Sequence, residues 1–160
     1  MHPSFGTAPR SDFAPAGADG VLRVLIAVED TAAGRRTLAS GLRHAAAQDA
    51  EATVLHVIPA RRWRVGRFSP ARAVPLRLTD PFESAVLRDA RRIGFDLGLC
   101  PRLELVAADE RDAVILGLAR RLGVDSIVVG ASRPDALVNP LGVCQGVLRR
   151  APVPVIVVPA

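Results

Sequence analysis

The stretch Val128–Val158, VVGASRPDALVNPLGVCQGVLRRAPVPVIVV, begins and ends in apolar, β-branched segments that predict strands. Between them lie a glycine, a loop and a short helical pattern, in which Asn139 and Pro140 suit the N-cap and the first helical position. Many nucleotide-binding folds hold phosphate on a strand, a glycine turn and a helix N-terminus in this order. The stretch therefore predicts an α/β fold, and it raises the question of whether phosphate-binding chemistry is present.

The rest of the chain repeats this alternation of strand and helix patterns. Five buried strands are predicted, at residues 21–28, 52–58, 102–107, 125–130 and 153–158. Apolar residues at helical spacing lie between them, at residues 38–46, 82–97 and 113–122. Asp80, Pro81 and Glu83 predict the start of the second helix, and Asp109 predicts the N-cap of the third.

Strands that are apolar throughout and alternate with helices are typical of parallel sheets covered on both faces. We therefore predict a doubly wound α/β domain with a five-stranded parallel sheet and helices on both faces. In such sheets, ligands bind beyond the carboxyl ends of the strands, where the strand order reverses. The loops at residues 29–31, 57–60 and 130–142 are therefore expected to form the site.

Length and composition predict one domain at residues 21–160, because the chain has 160 residues and 49% of them are apolar. The first 20 residues are rich in Pro, Gly and Ala and do not resemble a signal peptide, so we predict a disordered tail. No apolar run approaches the roughly 18 residues of a membrane span. Two cysteines provide no disulfide framework, which fits a cytoplasmic protein.

A basic segment at residues 59–80 has no clear period, and we predict a long exposed loop. It carries six of the arginines, interleaved with Trp63 and Phe68, in a chain of net charge +5 that has no lysine. An Arg-rich loop of this kind is one alternative functional element, because it suits binding to nucleic acid or to an anionic surface. The absence of lysine excludes Schiff-base chemistry and the lysine of a P-loop.

Three stretches resemble the universal stress protein family. VLIAVEDT is similar to the first strand of the family, TVLHVI to its second strand, and VDSIVVGAS with GVLRRAPVPVIVV to its closing signature. The resemblance implies a homodimer, and it implies a regulatory or nucleotide-sensing module of the stress response rather than an enzyme. One branch of the family binds ATP through G-x₂-G-x₉-G-[ST], so ATP or AMP is the cofactor that the resemblance suggests.

The resemblance also implies a nucleotide-binding set, which this chain matches only in part. Gly130 matches the first glycine, whereas Arg133 stands at the second. When the motif is counted forward from Gly130, Val143 and Cys144 occupy its final glycine and hydroxyl positions. When it is counted backward from the closing segment VLRRAPVPV, Leu141 and Gly142 occupy them instead. The candidate residues are Ala27, Val28, Glu29, Thr31, Val57, Gly130, Arg133, Gly142, Val143 and Cys144.

Several of these residues have simpler interpretations. Gly130 also suits a turn, Arg133 a solvated loop, and Cys144 a small buried position rather than a thiol with a lowered pKa. Glu29 and Asp30 suit either a helix start or contact with Mg²⁺ or a ribose hydroxyl. His56, inside an apolar strand, is expected to be a core histidine with a hydrogen-bond partner, so no catalytic or metal-binding set is predicted.

The function predicted from the sequence is a universal stress protein-like regulatory module with a degenerate nucleotide site. It is expected to form a homodimer through the strand that starts at Val153 and ends at Val158, and to have a protein partner of unknown identity. A competent ATP or AMP binder with altered phosphate ligands is the first alternative. A module that binds nucleic acid or an anionic surface through the Arg-rich loop is the second.

Limited proteolysis tests the predicted loop and tail. Under native conditions, trypsin is expected to cut first within residues 59–80 or the first 20 residues, because both segments lack the apolar periodicity of packed elements. Mass spectrometry of the early fragments locates the cuts. Resistance of both segments to trypsin would show that they are packed.

Overall fold

A computed structural model describes residues 19–59, 84–131 and 142–160, together with the backbone of residues 76–77. The elements in chain order are β1 (Arg23–Val28), α1 (Ala32–Ala47), β2 (Glu51–Ile58), β3 (Leu76–Arg77), α2 (Ala85–Asp96), β4 (Arg102–Ala107), α3 (Arg111–Leu122), β5 (Ser126–Gly130), α4 (Gly142–Arg150) and β6 (Val155–Val158).

The sheet has the strand order β3-β4-β2-β1-β5-β6. β4, β2, β1, β5 and β6 are parallel, which confirms the predicted five-stranded parallel sheet. The chain moves outward from β1 through β2 to β4 and then returns to β5 on the other side of β1. The strand order therefore reverses between β1 and β5, and the ligand site of such a fold is expected at their carboxyl ends.

One strand was not predicted. Leu76 and Arg77 pair antiparallel with Ala107 and Val106 at the edge of the sheet, although both fall in the segment predicted as a loop. Two residues are too few for an alternating pattern to be visible in a sequence. The prediction of loop structure for the whole of residues 59–80 was therefore wrong at this position.

The parallel strands place successive side chains on opposite faces, and each face has its own core. On one face, Val24 and Ile26 pack with Leu38 of α1 and Leu87 of α2. On the other, Leu25, Leu55 and Ile127 pack with Ile115 of α3 and Val147 of α4. Helices therefore cover both faces, as predicted for strands that are apolar throughout.

Two helix starts differ from the predictions. The N-cap of α2 is Ser84, whose Oγ accepts a hydrogen bond from the Leu87 amide at 3.4 Å, and not Asp80. α3 begins at Arg111 after Glu110, so the predicted cap at Asp109 was one residue too early. Polar residues follow one another at both positions, and a sequence does not show which of them adopts the N-cap conformation.

Other predictions fall outside the described residues. They concern residues 1–18 of the tail, residues 60–75 and 78–83, which include most of the Arg-rich loop, and the segment 132–141 with Arg133, Asn139 and Pro140. The hypothesis that the Arg-rich loop binds nucleic acid or an anionic surface therefore stays a prediction.

His56 is a core histidine with a partner, as predicted. Its Nδ1 lies 2.8 Å from Ser84 Oγ, and both side chains are buried. Burial lowers the pKa of His56, although the carboxylates of Asp30 and Glu29 act in the opposite direction. The pair ties β2 to the first turn of α2.

Close packing of α1 on the sheet depends on Gly41. A Cβ at this position would lie 2.8 Å from Ile26 Cγ2, and Ile26 is fully buried. Gly117, in the middle of α3, is a matched contrast because a Cβ there would meet nothing within 4 Å.

Alanine at these two glycines is expected to have opposite effects on the free energy of unfolding. Gly41→Ala forces Ile26 to move and is expected to destabilise the protein by about 1–3 kcal/mol. Gly117→Ala is expected to stabilise it by about 0.5–1 kcal/mol, because alanine costs less backbone entropy in a helix. Urea unfolding followed by circular dichroism measures both changes. Equal changes in the two variants would contradict the close packing of α1 on β1.

Candidate functional site

A cavity of about 520 Å³ lies at the carboxyl ends of the central strands, around the reversal point between β1 and β5. Its inner wall is apolar, with Ala27, Leu55, Val57, Ile115 and Val129. Its size is within the usual range for small-molecule sites, and an apolar wall with few polar groups is the usual composition. The cavity is therefore the candidate functional site.

The structure brings together all of the predicted site residues that it describes. The lining residues foreseen from the sequence are Ala27, Val28, Glu29, Thr31, Val57, Gly130, Gly142, Val143 and Cys144. Arg133, the remaining candidate, lies outside the described residues. The residues that join one cavity come from β1, β2, β5 and α4, so these separate stretches of the sequence meet at one edge of the sheet.

Sequence analysis missed other lining residues. Leu55 and Val129 were within its reach, because they lie two residues from Val57 and next to Gly130 on predicted strands. Arg111 was not, since it is 82 positions from the residue it contacts. The full set that was missed is Ala33, Gly34, Thr37, Leu55, Arg111, Ile115, Val129 and Ala160, whereas Ala131 lies in the loop expected to form the site.

Glu29 and Arg111 form an ion pair at the cavity. Arg111 Nη1 donates to Glu29 Oε1 at 2.7 Å, which joins the residue after β1 to the first residue of α3. The Arg111 side chain is 29% exposed and that of Glu29 is 46% exposed, so water and small solutes reach both. The cavity thus offers an acceptor and a donor of opposite charge beside its apolar wall.

Asp30, the other acid of this turn, is directed elsewhere. It accepts from Arg35 Nη2 at 2.8 Å, and Arg35 Nε also contacts Asp89 of α2 at 3.0 Å. Glu29 and Asp30 therefore do not converge on one point. In the described part of the chain, no three His, Cys, Asp or Glu side chains are placed to hold a metal ion.

Thr31 is the N-cap of α1. Its Oγ1 accepts a hydrogen bond from the Gly34 amide at 2.9 Å, which leaves its own hydroxyl proton for another acceptor. Gly34 lies directly against the Glu29 carbonyl, and a Cβ at Gly34 would overlap that oxygen. The start of α1 therefore fixes the backbone of Glu29 beside the cavity.

Gly130 is required by close packing. It is the last residue of β5 and is not among the glycines with positive φ. A Cβ at Gly130 would lie 2.6 Å from Thr37 Oγ1, and Thr37 is held by a hydrogen bond from that oxygen to the Ala33 carbonyl at 3.2 Å. Close approach of α1 to β5 is therefore a reason for glycine here, whereas the loop that follows Ala131 lies outside the described residues.

The first residues of α4 complete the cavity. Gly142 has φ +68°, and Val143 and Cys144 follow it along the lining. Amide groups in the first turn of any α-helix have no partner within the helix, so they favour an anion. Cys144 is buried, and burial raises the pKa of its thiol, so the alternative of a lowered pKa was wrong.

Within the described residues, no helix is long and apolar enough to cross a bilayer. Comparison with curated protein sequences finds no significant match.

Solved structures share the fold. A universal stress protein crystallised in complex with cAMP is 18% identical, with 86% of this chain and 96% of that one aligned and a TM-score of 0.64. The universal stress protein of Archaeoglobus fulgidus in complex with dAMP is 21% identical, with 86% and 96% aligned and a TM-score of 0.58. UspA of Lactobacillus plantarum is 21% identical, with 86% and 97% aligned and a TM-score of 0.60.

The family is shown by the sequence. The model of the universal stress protein family matches residues 21–159, which is nearly all of the chain outside the N-terminal segment. The chain belongs to the universal stress protein family.

Proposed function

We propose that this chain is a regulatory module of the stress response that binds an adenine nucleotide weakly and does not hydrolyse it. The observation that carries the proposal is the cavity at the reversal point, because the described residues among those matched to the family's nucleotide site line this one cavity. Relatives of the same fold are described in complex with cAMP and with dAMP. The apolar wall suits a base, and Glu29 suits a ribose hydroxyl.

The phosphate end of the site supports weak binding. When the family's motif is counted forward from Gly130, its final glycine and hydroxyl positions are occupied by Val143 and Cys144, and Cys144 lines the cavity. A thiol is a weak hydrogen-bond donor compared with a hydroxyl. A hydrogen bond to a charged group contributes about 1.5–3 kcal/mol, so its loss weakens binding roughly 10- to 150-fold.

The absence of hydrolysis belongs to the same proposal. The polar side chains that the described structure places at the cavity are those of Glu29, Thr31, Thr37, Arg111 and Cys144. Glu29 and Arg111 pair with each other, and Thr31 and Thr37 bond to the backbone of α1. Cys144 is a buried thiol of raised pKa, which is the unreactive form.

Dimer formation through β6 is also proposed. β6 lies at the end of the strand order and pairs with β5 on one side. Its sequence is VIVV, and Val157 is 38% exposed. A bare apolar edge of this kind is a risk for open-ended association, and pairing with a second copy across a two-fold axis covers it. A cytoplasmic location and a protein partner stay predictions.

Charged residues on β6 are expected to disrupt the dimer. Val157→Asp, alone and with Val155→Asp, is expected to give a folded monomer, because the charge would lie at the paired edge. Light scattering at tens of micromolar measures the mass. Phe95→Asp is the matched control, since Phe95 is exposed on α2, a helix that packs against β2 and β4. A monomeric parent protein, or a dimer that both β6 variants retain, would overturn this part of the proposal.

Calorimetry with MgATP tests the altered phosphate end. The parent protein is expected to bind weakly or undetectably and to release no phosphate. Cys144→Ser is expected to strengthen binding by about tenfold or more, because it returns a hydroxyl to the cavity. Cys100→Ser, at an exposed cysteine, is the control. Micromolar or tighter affinity that falls on Arg133→Ala would instead favour a competent binder rebuilt around arginine.

A further inference from the structure

The Glu29–Arg111 pair brings a cation to the cavity that the family's motif does not supply. Arg111 is the first residue of α3, and the next residue, Asp112, fixes this end of α3 against α4. Arg150 Nη2 donates to Asp112 Oδ2 at 2.6 Å, and a Cβ at Gly146 would overlap the same carboxylate oxygen. Arg111 also lines the cavity together with Val143 and Cys144, so the start of α3 and the first turn of α4 form one wall.

The charges along this wall limit what it can bind. Among the described residues that line the cavity, Arg111 provides the positive side chain and Glu29 the negative one. Their charges cancel, so a bound anion gains attraction from the Arg111 side chain only when it draws the guanidinium away from Glu29. A guanidinium has five N–H donors in one plane and suits bidentate contact with phosphate.

We propose that Arg111 binds the phosphate of the ligand and that Glu29 competes for it, so that the site selects a nucleoside monophosphate over the triphosphate. The selection rests on charge: Arg111 is the positive side chain among the described residues of the cavity and can offset one phosphate, whereas the further phosphates of a triphosphate add negative charge near Glu29. The inference depends on the nucleotide site of the proposed function, because it assigns the phosphate subsite within that cavity.

Arg111 also suits a phosphate-binding role because its side chain is oriented by the ion pair with Glu29 and remains partly exposed. The pair is partly exposed, so breaking it costs little, in the range measured for surface ion pairs. The guanidinium can therefore exchange Glu29 for a phosphate. Close packing of Gly34 on the Glu29 carbonyl keeps the carboxylate beside the exchange point.

Calorimetry with adenosine, AMP and ATP, without added metal, tests the assignment. The parent protein is expected to bind AMP more tightly than either adenosine or ATP. Arg111→Gln is expected to weaken AMP by about tenfold or more and to leave adenosine unchanged. Glu29→Gln is expected to raise the affinity for AMP relative to adenosine by about two- to fivefold, the range that corresponds to release of a partly exposed ion pair, because both ligands carry the same ribose.

Two matched variants control for general charge effects. Arg120→Gln removes an exposed arginine from α3 outside the cavity, and Glu51→Gln removes an exposed acid at the amino end of β2. Both are expected to leave AMP affinity unchanged, and thermal melting verifies that every variant is folded. Arg111→Lys keeps the charge but not the planar donors, and it is expected to recover only part of the lost affinity.

The outcomes separate the two proposals. If adenosine and AMP bind and Arg111→Gln weakens both or neither, the cavity is a nucleotide site but Arg111 is not its phosphate ligand. If ATP binds as tightly as AMP, the charge selection is wrong. If none of the three ligands binds, the proposed nucleotide site fails and the phosphate assignment fails with it.

Discussion

The close approach of α1 to the strands on either side of the reversal point is the constraint on which the rest of the structure depends. It is made at three glycines, where a Cβ would meet the Glu29 carbonyl, Ile26 or Thr37 Oγ1. Gly34 and Gly41 are on α1 itself, and Gly130 is at the end of β5. Because interiors are close-packed and respond to a single added carbon, these contacts fix the helix in both position and rotation.

The position of α1 determines the turn after β1, and the turn determines the site. Consecutive residues at a strand end are directed to opposite faces of the sheet, so Glu29 and Asp30 pair with different arginines. Glu29 meets Arg111 at the cavity, whereas Asp30 meets Arg35 near α2. The opposite directions argue against a shared cation between these two carboxylates and leave Glu29 as the acid beside the proposed ligand.

The second helical layer contributes the rest of the site. α3 and α4 are joined by the Asp112–Arg150 ion pair and by direct contact at Gly146, so the start of α3 and the first turn of α4 form one wall. A regulatory module of the proposed kind needs a ligand site whose occupancy changes local charge. The Glu29–Arg111 pair would allow such a change, because a phosphate that draws the guanidinium away leaves the Glu29 carboxylate unpaired, and the partial exposure of the pair keeps the exchange of partners inexpensive.

The sequence by itself determined the fold class, the parallel strands and about half of the cavity lining. Apolar strands with no polar face, such as residues 24–28, require cover on both sides, and turn residues after β1, β2 and β5 must meet at one edge. Only the tertiary structure decided the N-caps at Ser84 and Glu110, the short β3, the packing at Gly130 and the place of Arg111. The pairing of β3, the packing at Gly130 and the contact of Arg111 join residues far apart in the chain, and local periodicity contains no information about which distant side chain will be opposite. The two caps are local, but several polar residues follow one another there, and a sequence does not show which of them adopts the N-cap conformation.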